Sequence, residues 1–317
     1  MSTQNKTRAM VEVSLLIALI SVLTIIGNYI PVLTFITFFL PTPFIILGKR
    51  HGMYYITWAI IIWAMITMSF IGPVQAIFLS ILMGGTAIIM AYLMKKDASA
   101  GQIIAGGALI YLIGLVMSIQ LSSIVMGVDV ITQINQMLEQ SMNMQMSMYE
   151  TLGMETTQID EFRKMIELGM QMFMMMIPGI IIISCTTLPL MNYALTCKIL
   201  KKLGYETKAL PPLKYVRLPK TFVMGTFLII GLTMLTRYFN FANYQSLVIN
   251  VFLIFYIVYF VQGIGVMSYF FDVLKIRKLM KILIYMLILL SGKGVFILAT
   301  LGFMDCFMDF RKLKIRN

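Results

Sequence analysis

Asp305 and Asp309 stand four residues apart, which places both carboxylates on one face of a helix. Acid pairs inside a membrane can carry protons or cations. Here the pair falls at the end of an apolar segment, beside Arg311 and Lys312. The favoured reading is therefore structural: ion pairs at the inner membrane surface, made with those neighbours or with the basic end of another segment. A second set is uncharged. Asn28, Gln75, Gln120, Ser122, Ser123 and Gln171 lie toward the same end of the first six apolar segments. Facing inward, they would line an outward-open pocket for a small polar ligand; facing outward, they mark helix ends at the headgroups. Gln120 is the deepest of them.

Other candidate chemistry is thin. Met142-x-Met144-x-Met146-x-Met148 offers thioethers, soft ligands suited to Cu(I). With 30 methionines in the chain and no nearby Cys or His, adaptable apolar packing is the favoured role. The single histidine, His51, adjoins Lys49 and Arg50 and reads as an interfacial residue. Cys185, Cys197 and Cys306 have no metal-ligand spacing and read as small apolar residues. No G-x-x-x-x-G-K-[ST] phosphate loop and no H-E-x-x-H zinc motif occur. Gly302-Phe303-Met304-Asp305 lacks the second glycine expected of an intramembrane aspartyl protease. The expectation is a protein without catalytic residues, metal site or cofactor, and without nucleic acid as a partner. Ser14 and Ala18 form a small-x-x-x-small pair that suits close packing, internally or against a partner helix.

The elements that position these residues follow from composition. The chain has 317 residues, 60% apolar and only 12% charged. A soluble domain is about 45–50% apolar and about 25% charged, so a soluble globular enzyme is excluded. A helix crosses the bilayer with about 20 apolar residues. Segments of that kind are 10–28, 53–71, 73–94, 102–126, 169–198, 220–238 and 245–271. The shorter block 31–48 contains Pro41 and Pro43 and reads as a broken span, whose freed backbone groups neighbouring helices must cover. Residues 281–310 are too long for one simple span and are divided by Ser291-Gly292-Lys293-Gly294; a short hairpin is preferred over a single helix. The first block has no small-residue cleavage pattern and is expected to be an anchor.

Charge sets the expected direction. The net charge of +12 comes from 25 basic and 13 acidic residues. With the hairpin, 21 basic residues fall on one side and four, Arg163, Lys164, Arg237 and Lys293, on the other. The basic side is expected to be cytoplasmic and to hold both termini of a protein of the bacterial cell membrane. Residues 127–168 form the large outside loop and carry seven acidic residues, Glu155 among them. Its apolar spacing predicts an amphipathic helix ended by Gly153, and Thr157 with Asp160 resembles a capping box opening the next helix. That gives three regions: a six-span domain over 1–200, a basic cytoplasmic linker over 201–219 containing Pro211, Pro212 and Pro219, and a C-terminal membrane domain over 220–317. The fold class is all-α and polytopic.

Three stretches carry a resemblance: Leu40-Pro-Thr-Pro-Phe-Ile-Ile-Leu-Gly-Lys-Arg-His-Gly52, Gln262-Gly263, and Leu301-Gly-Phe-Met-Asp-Cys-Phe-Met-Asp-Phe-Arg-Lys312. Together they resemble the YybS-like family of bacterial integral membrane proteins, which brings no assigned biochemical activity. In arrangement, the first 200 residues also resemble the S components of energy-coupling-factor transporters. Those are six-span subunits that capture vitamins or metal ions from outside. They work with a transmembrane coupling protein and ATPases supplied in trans. The resemblance implies a ligand-capturing subunit; the enlarged outside loop and the extra C-terminal spans depart from it. The competing reading is a regulatory or scaffolding membrane protein without transport activity.

Overall fold

Proline and glycine punctuate the apolar chain, and the helices begin and end where they stand. The computed structural model describes residues 3–127, 129–152, 154, 156–239 and 243–312; the side chains of Lys6 and Arg8, and all of Gly153, Glu155, Lys314 and Arg316, lie outside the described residues. Helix α1 (Thr3–Tyr29) is followed by a 3-10 stretch, Pro31–Phe39, and by α2 (Pro41–His51). Both pieces open with proline, which lacks the N–H that a first turn leaves unused. The second span is thus broken where its prolines predicted. Gly52 (φ 99°) and Gly72 (φ 88°) turn the chain into α3 (Met53–Ile71) and α4 (Pro73–Leu79). A π-helical turn at Ser80–Gly84 joins α4 to α5 (Gly85–Lys95). A capping box of Ser99 and Gln102 starts α6 (Ala100–Met126), and left-handed Gly127 ends it.

The expected amphipathic helix is α7 (Val130–Thr151), capped by the Asp129 side chain. Met142 and Met146 face inward, Met146 fully, whereas Met144 and Met148 are exposed. The four methionines therefore do not converge, as expected for residues two positions, or about 200°, apart around a helix. Helix α8 (Thr156–Lys202) opens one residue before Thr157 and runs for 47 residues, about 70 Å at 1.5 Å per residue. The remaining helices are α9 (Lys220–Leu235), α10 (Tyr244–Val273), α11 (Lys278–Leu290) and α12 (Lys293–Met308). Among the described residues eight helical segments are long and apolar enough to cross a membrane, and α11 with α12 forms a further pair bent by 108°. The break falls at Ser291-Gly292, and the bend lies between a straight span and an antiparallel hairpin. The protein is an all-α, multi-pass membrane protein.

The chain divides into two units: residues 1–167 with 181–210, and residues 168–180 with 211–317. The boundary between them at 210/211 lies within the basic 201–219 segment, but a stretch of α8 joins the second unit. In the first unit α2 is central, its Phe44, Ile45 and Leu47 buried among Ile56, Trp63, Ala87 and Ala91. Gly106 and Gly107 let α6 approach Leu93 and Met90 of α5. The break in the second span is covered by Asn192 of α8, which accepts from Thr42 (2.7 Å) and donates to the Phe38 carbonyl (2.9 Å). In the second unit Asn250 of α10 does the same for Pro178. Its Oδ1 accepts from the Gly179 N–H (2.7 Å) and its Nδ2 donates to the Met175 carbonyl (2.7 Å). One carboxamide thus satisfies a donor and an acceptor of the proline-interrupted helix, and ties residues 168–180 to α10.

Candidate functional site

The second unit holds the most unusual electrostatics of the molecule. Helices α10 and α12 pack so closely that a Cβ on Gly302 would meet the Tyr259 carbonyl and the Gly263 N–H, and one on Gly263 would meet the Leu298 carbonyl. Only glycine permits this approach, and it brings Gln262 of α10 against Asp305 of α12. The chain then turns at Asp309, whose φ of 49° ends α12 in the left-handed region. That turn sends Arg311 back under the helix. Arg311 Nη2 donates to Asp305 Oδ2 (2.8 Å), Gln262 Nε2 donates to the same oxygen (3.0 Å), and Arg311 Nη1 donates to the Lys214 carbonyl (3.0 Å). Both charged side chains are wholly buried, 0% exposed. Asp305 Oδ1 and Arg311 Nε have no hydrogen-bond partner among the described residues.

Asp305 was expected to sit at the surface with hydrated neighbours; instead its carboxylate is buried, where the close approach of α10 and α12 at Gly263 and Gly302 sets Gln262 against it. Asp309 is partly exposed and pairs with Arg217 at 2.7 Å, not with Lys312, because the turn at Asp309 aims its side chain at the segment preceding α9. Around this lies a third group: Asp272 bonds Lys214 (2.5 Å) and Lys281. The hydrogen bond to Asp272 holds the Lys214 ammonium above its ordinary pKa, against a smaller opposing effect of burial. The two resemblance stretches around Gln262 and Asp305 thus meet in one cluster. Arg217, Asn192 and Asn250 were not singled out from the sequence; the only available signal was a carboxamide inside an apolar span, which Asn192 and Asn250 share with Gln262.

The first unit has two unlike ends. At one, Glu12 of α1 receives Arg50 and His51 (3.0 Å) of α2, Lys49 bonds Asp97 (3.0 Å), and the Arg50 guanidinium lies 5.7 Å from the Tyr205 ring centre. The Lys49 hydrogen bond draws the Asp97 carboxyl below its ordinary pKa, with the Lys49 charge as the next cause. At the other end Gln75 Nε2 donates to Asn28 Oδ1 (2.6 Å), and the Tyr29 hydroxyl donates to the Phe70 carbonyl (2.6 Å). Gln120 is exposed on α6, Ser122 is buried and Ser123 half-buried. Gln171 is exposed and lies in the stretch of α8 that belongs to the second unit. Within the uncharged set, Asn28 and Gln75 are hydrogen-bonded to each other. Ser14 and Ala18 are both exposed on α1, the Ser14 hydroxyl bonding its own helix at the Met10 carbonyl. Among the described residues no group of three His, Cys, Asp or Glu side chains is placed to hold a metal ion.

Residues 18–306 match a family described as predicted membrane protein, DUF2232. The chain belongs to this family. The match takes in both resemblance stretches of the second unit up to Asp305 and stops short of the Asp309–Arg311 turn. A relative is the uncharacterized protein YybS of Bacillus subtilis (strain 168), 23% identical over 235 residues, which are 73% of this chain and 74% of the relative. No solved structure matches.

Proposed function

We propose that the first unit captures a small polar molecule, and that a coupling protein and ATPases supplied in trans drive its transfer, as in the S components of energy-coupling-factor transporters. The observation that carries this reading is the Asn28–Gln75 pair, which joins α1 to α4 at the end of these helices away from Glu12 and Lys49. Asn28 is half-buried and Gln75 exposed, so both amides are within reach of a ligand, and a ligand that replaces their hydrogen bond is favoured over one that leaves it unmade. The exposed Ser14 and Ala18 on α1 would seat the coupling helix. In this reading the protein is not an enzyme. It lies in a bacterial cell membrane with both termini cytoplasmic and residues 127–168 outside. Mass spectrometry of ligands released from the purified protein tests it. The expected result is a small polar molecule retained by the natural chain and lost from Asn28→Ala and Gln75→Ala. Retention of no molecule, with no coupling protein co-purifying from the native membrane, overturns it. An externally active reporter fused after residue 317 would reverse the proposed placement of the C-terminus.

A second reading, a regulatory or scaffolding membrane protein, is favoured by Gln120, which is exposed on α6 and makes no hydrogen bond to Asn28 or Gln75 among the described residues. It predicts partner proteins bound through the basic 198–220 segment and no captured ligand.

A further inference from the structure

At the charged end of the first unit a cavity of about 290 Å³ opens between the end of α2, the turn from α5 to α6, and the chain that follows α8. Its floor is apolar: Met94, Ile103 and Tyr193 are each no more than 5% exposed. The Tyr193 hydroxyl donates to the Lys208 carbonyl (2.6 Å), which pins residues 206–208 over that floor. The rim carries Lys49, Asp97, Glu206 and Lys208, two cations and two anions.

The four charges are not equally engaged. Lys49 and Asp97 neutralise each other, and Lys49 also donates to the Met94 carbonyl (2.7 Å). Lys208 Nζ donates to the main-chain carbonyl of Asp97 and forms no ion pair among the described residues; its charge adds a smaller share to the lowering of the Asp97 pKa, after Lys49. Glu206 makes no ion pair or hydrogen bond among the described residues. The rim therefore presents one ammonium and one carboxylate that form no ion pair among the described residues, two positions apart in the chain. A singly charged guest would satisfy one of them and leave the other facing a like charge. A guest with both an ammonium and an anionic group satisfies both.

Size and position narrow the class. The volume is at the lower limit of small-molecule sites, about 300–1,000 Å³, so a headgroup-sized guest fits and a whole lipid does not. The apolar spans bordering the cavity end at His51 and Lys95 and resume at Ala100, so the site lies at the level of the lipid headgroups. We propose that this cavity binds a phosphoethanolamine-type zwitterion, its ammonium at Glu206 and its phosphate at Lys208. The same chemistry reaches the site either as the headgroup of a membrane lipid or as a free small molecule. The site is independent of the capture reading above, which concerns the opposite end of the unit.

The test uses the full chain purified into nanodiscs containing equal parts of phosphatidylethanolamine, phosphatidylcholine and phosphatidylglycerol, with retained lipid read by native mass spectrometry. A second arm titrates O-phosphoethanolamine into lipid-depleted protein and reads thermal protection. Retention of phosphatidylethanolamine over the other two by about fivefold, lost in Glu206→Gln and in Lys208→Gln but kept in Lys198→Gln outside the cavity, is the expected result. Protection by O-phosphoethanolamine with the same variant pattern supports the free source; its absence beside selective lipid retention assigns the lipid source. Equal retention of the three lipids with no protection by O-phosphoethanolamine, preference for phosphatidylglycerol, or selectivity unchanged in both cavity variants overturns the proposal.

Discussion

Lys49–Asp97 and Arg311–Asp305 are ion pairs of similar length, 3.0 and 2.8 Å, yet they obey different physics. In the first pair the side chains are 18% and 80% exposed; in the second both are 0% exposed. Both acids look alike in the sequence, each near basic residues at the end of an apolar run. The difference arises from what stands beside them. Asp97 is in an open turn, whereas Asp305 is on a helix whose glycine neighbour lets another backbone close over it. Water screens the first pair, so either partner can be lost cheaply. In the second, removing one partner strands the other charge in a dry interior. Asp305 must also satisfy Gln262, so three side chains from three segments depend on one another.

Breaking the buried pair is therefore expected to have the largest effect. Arg311→Ala should destabilise the second unit by about 3–5 kcal/mol. The three free cysteines are all buried, so thiol-reactive dye uptake on heating reports unfolding directly, and Cys306 lies next to Asp305 in sequence. Asp305→Leu combined with Arg311→Met should recover most of the loss, because an apolar pair leaves no uncompensated charge. A double variant as unstable as the single one would show that the charges themselves are required.

Gly302→Val comes next. Its side chain would meet main-chain atoms of Tyr259 and Gly263, which cannot rotate away. A loss of about 3 kcal/mol is expected, read as a lower melting temperature, and Gly225→Val, which has open space around it, should be neutral by comparison. If both substitutions behave alike, close backbone approach is not what seals Asp305.

Asn250→Leu should cost about 2 kcal/mol, since it leaves the Gly179 N–H and the Met175 carbonyl without that partner at the Pro178 interruption. Hydrogen exchange should quicken around residues 175–179 before the rest of the chain changes. Protection that stays uniform would mean that α8 satisfies those groups by itself.

The exposed pair gives the smallest effect and is visible only through pH. Asp97 has a folded pKa lowered by Lys49 from its ordinary 3.8. Its contribution is complete above about pH 4 and is lost as pH falls through the lower folded value. A slight decline in melting temperature below pH 4 that Asp97→Asn abolishes is the expected pattern. A decline of equal size in the variant would assign the acid sensitivity elsewhere.

Much of the architecture was legible because it depends on local sums. Hydropathy over some 20 residues locates a span wherever its partners lie, so seven expected segments correspond to helices in the fold. Pro41 and Pro43 announced the broken second span, and Ser291-Gly292 the break between α11 and α12, because both act through their own backbone. The amphipathic α7 was visible in its spacing, as was the divergence of Met144 and Met148 from Met142 and Met146. The site was legible only in part. Asp305 and Asp309 were recognised as ion-pair formers, but Arg217 lies 92 positions from Asp309, and nothing local connects them.

By itself, then, the sequence determined the class, the helices, their interruptions and the grouping of charge between them, since each follows from residues adjacent along the chain. Tertiary structure alone decided which charges lost their water. Arg311 belongs to a basic tail, Arg311-Lys312-Leu313-Lys314, in which every member looks equally hydrated. Its burial results from a left-handed residue at Asp309 and from two glycines on different helices that bring their backbones together. The same holds for Asn192 and Asn250, ordinary carboxamides in an apolar run until a proline in a distant segment leaves backbone groups within their reach. Desolvation is a property of what surrounds a group in three dimensions, and for these residues the surroundings come from parts of the chain that are far away in sequence.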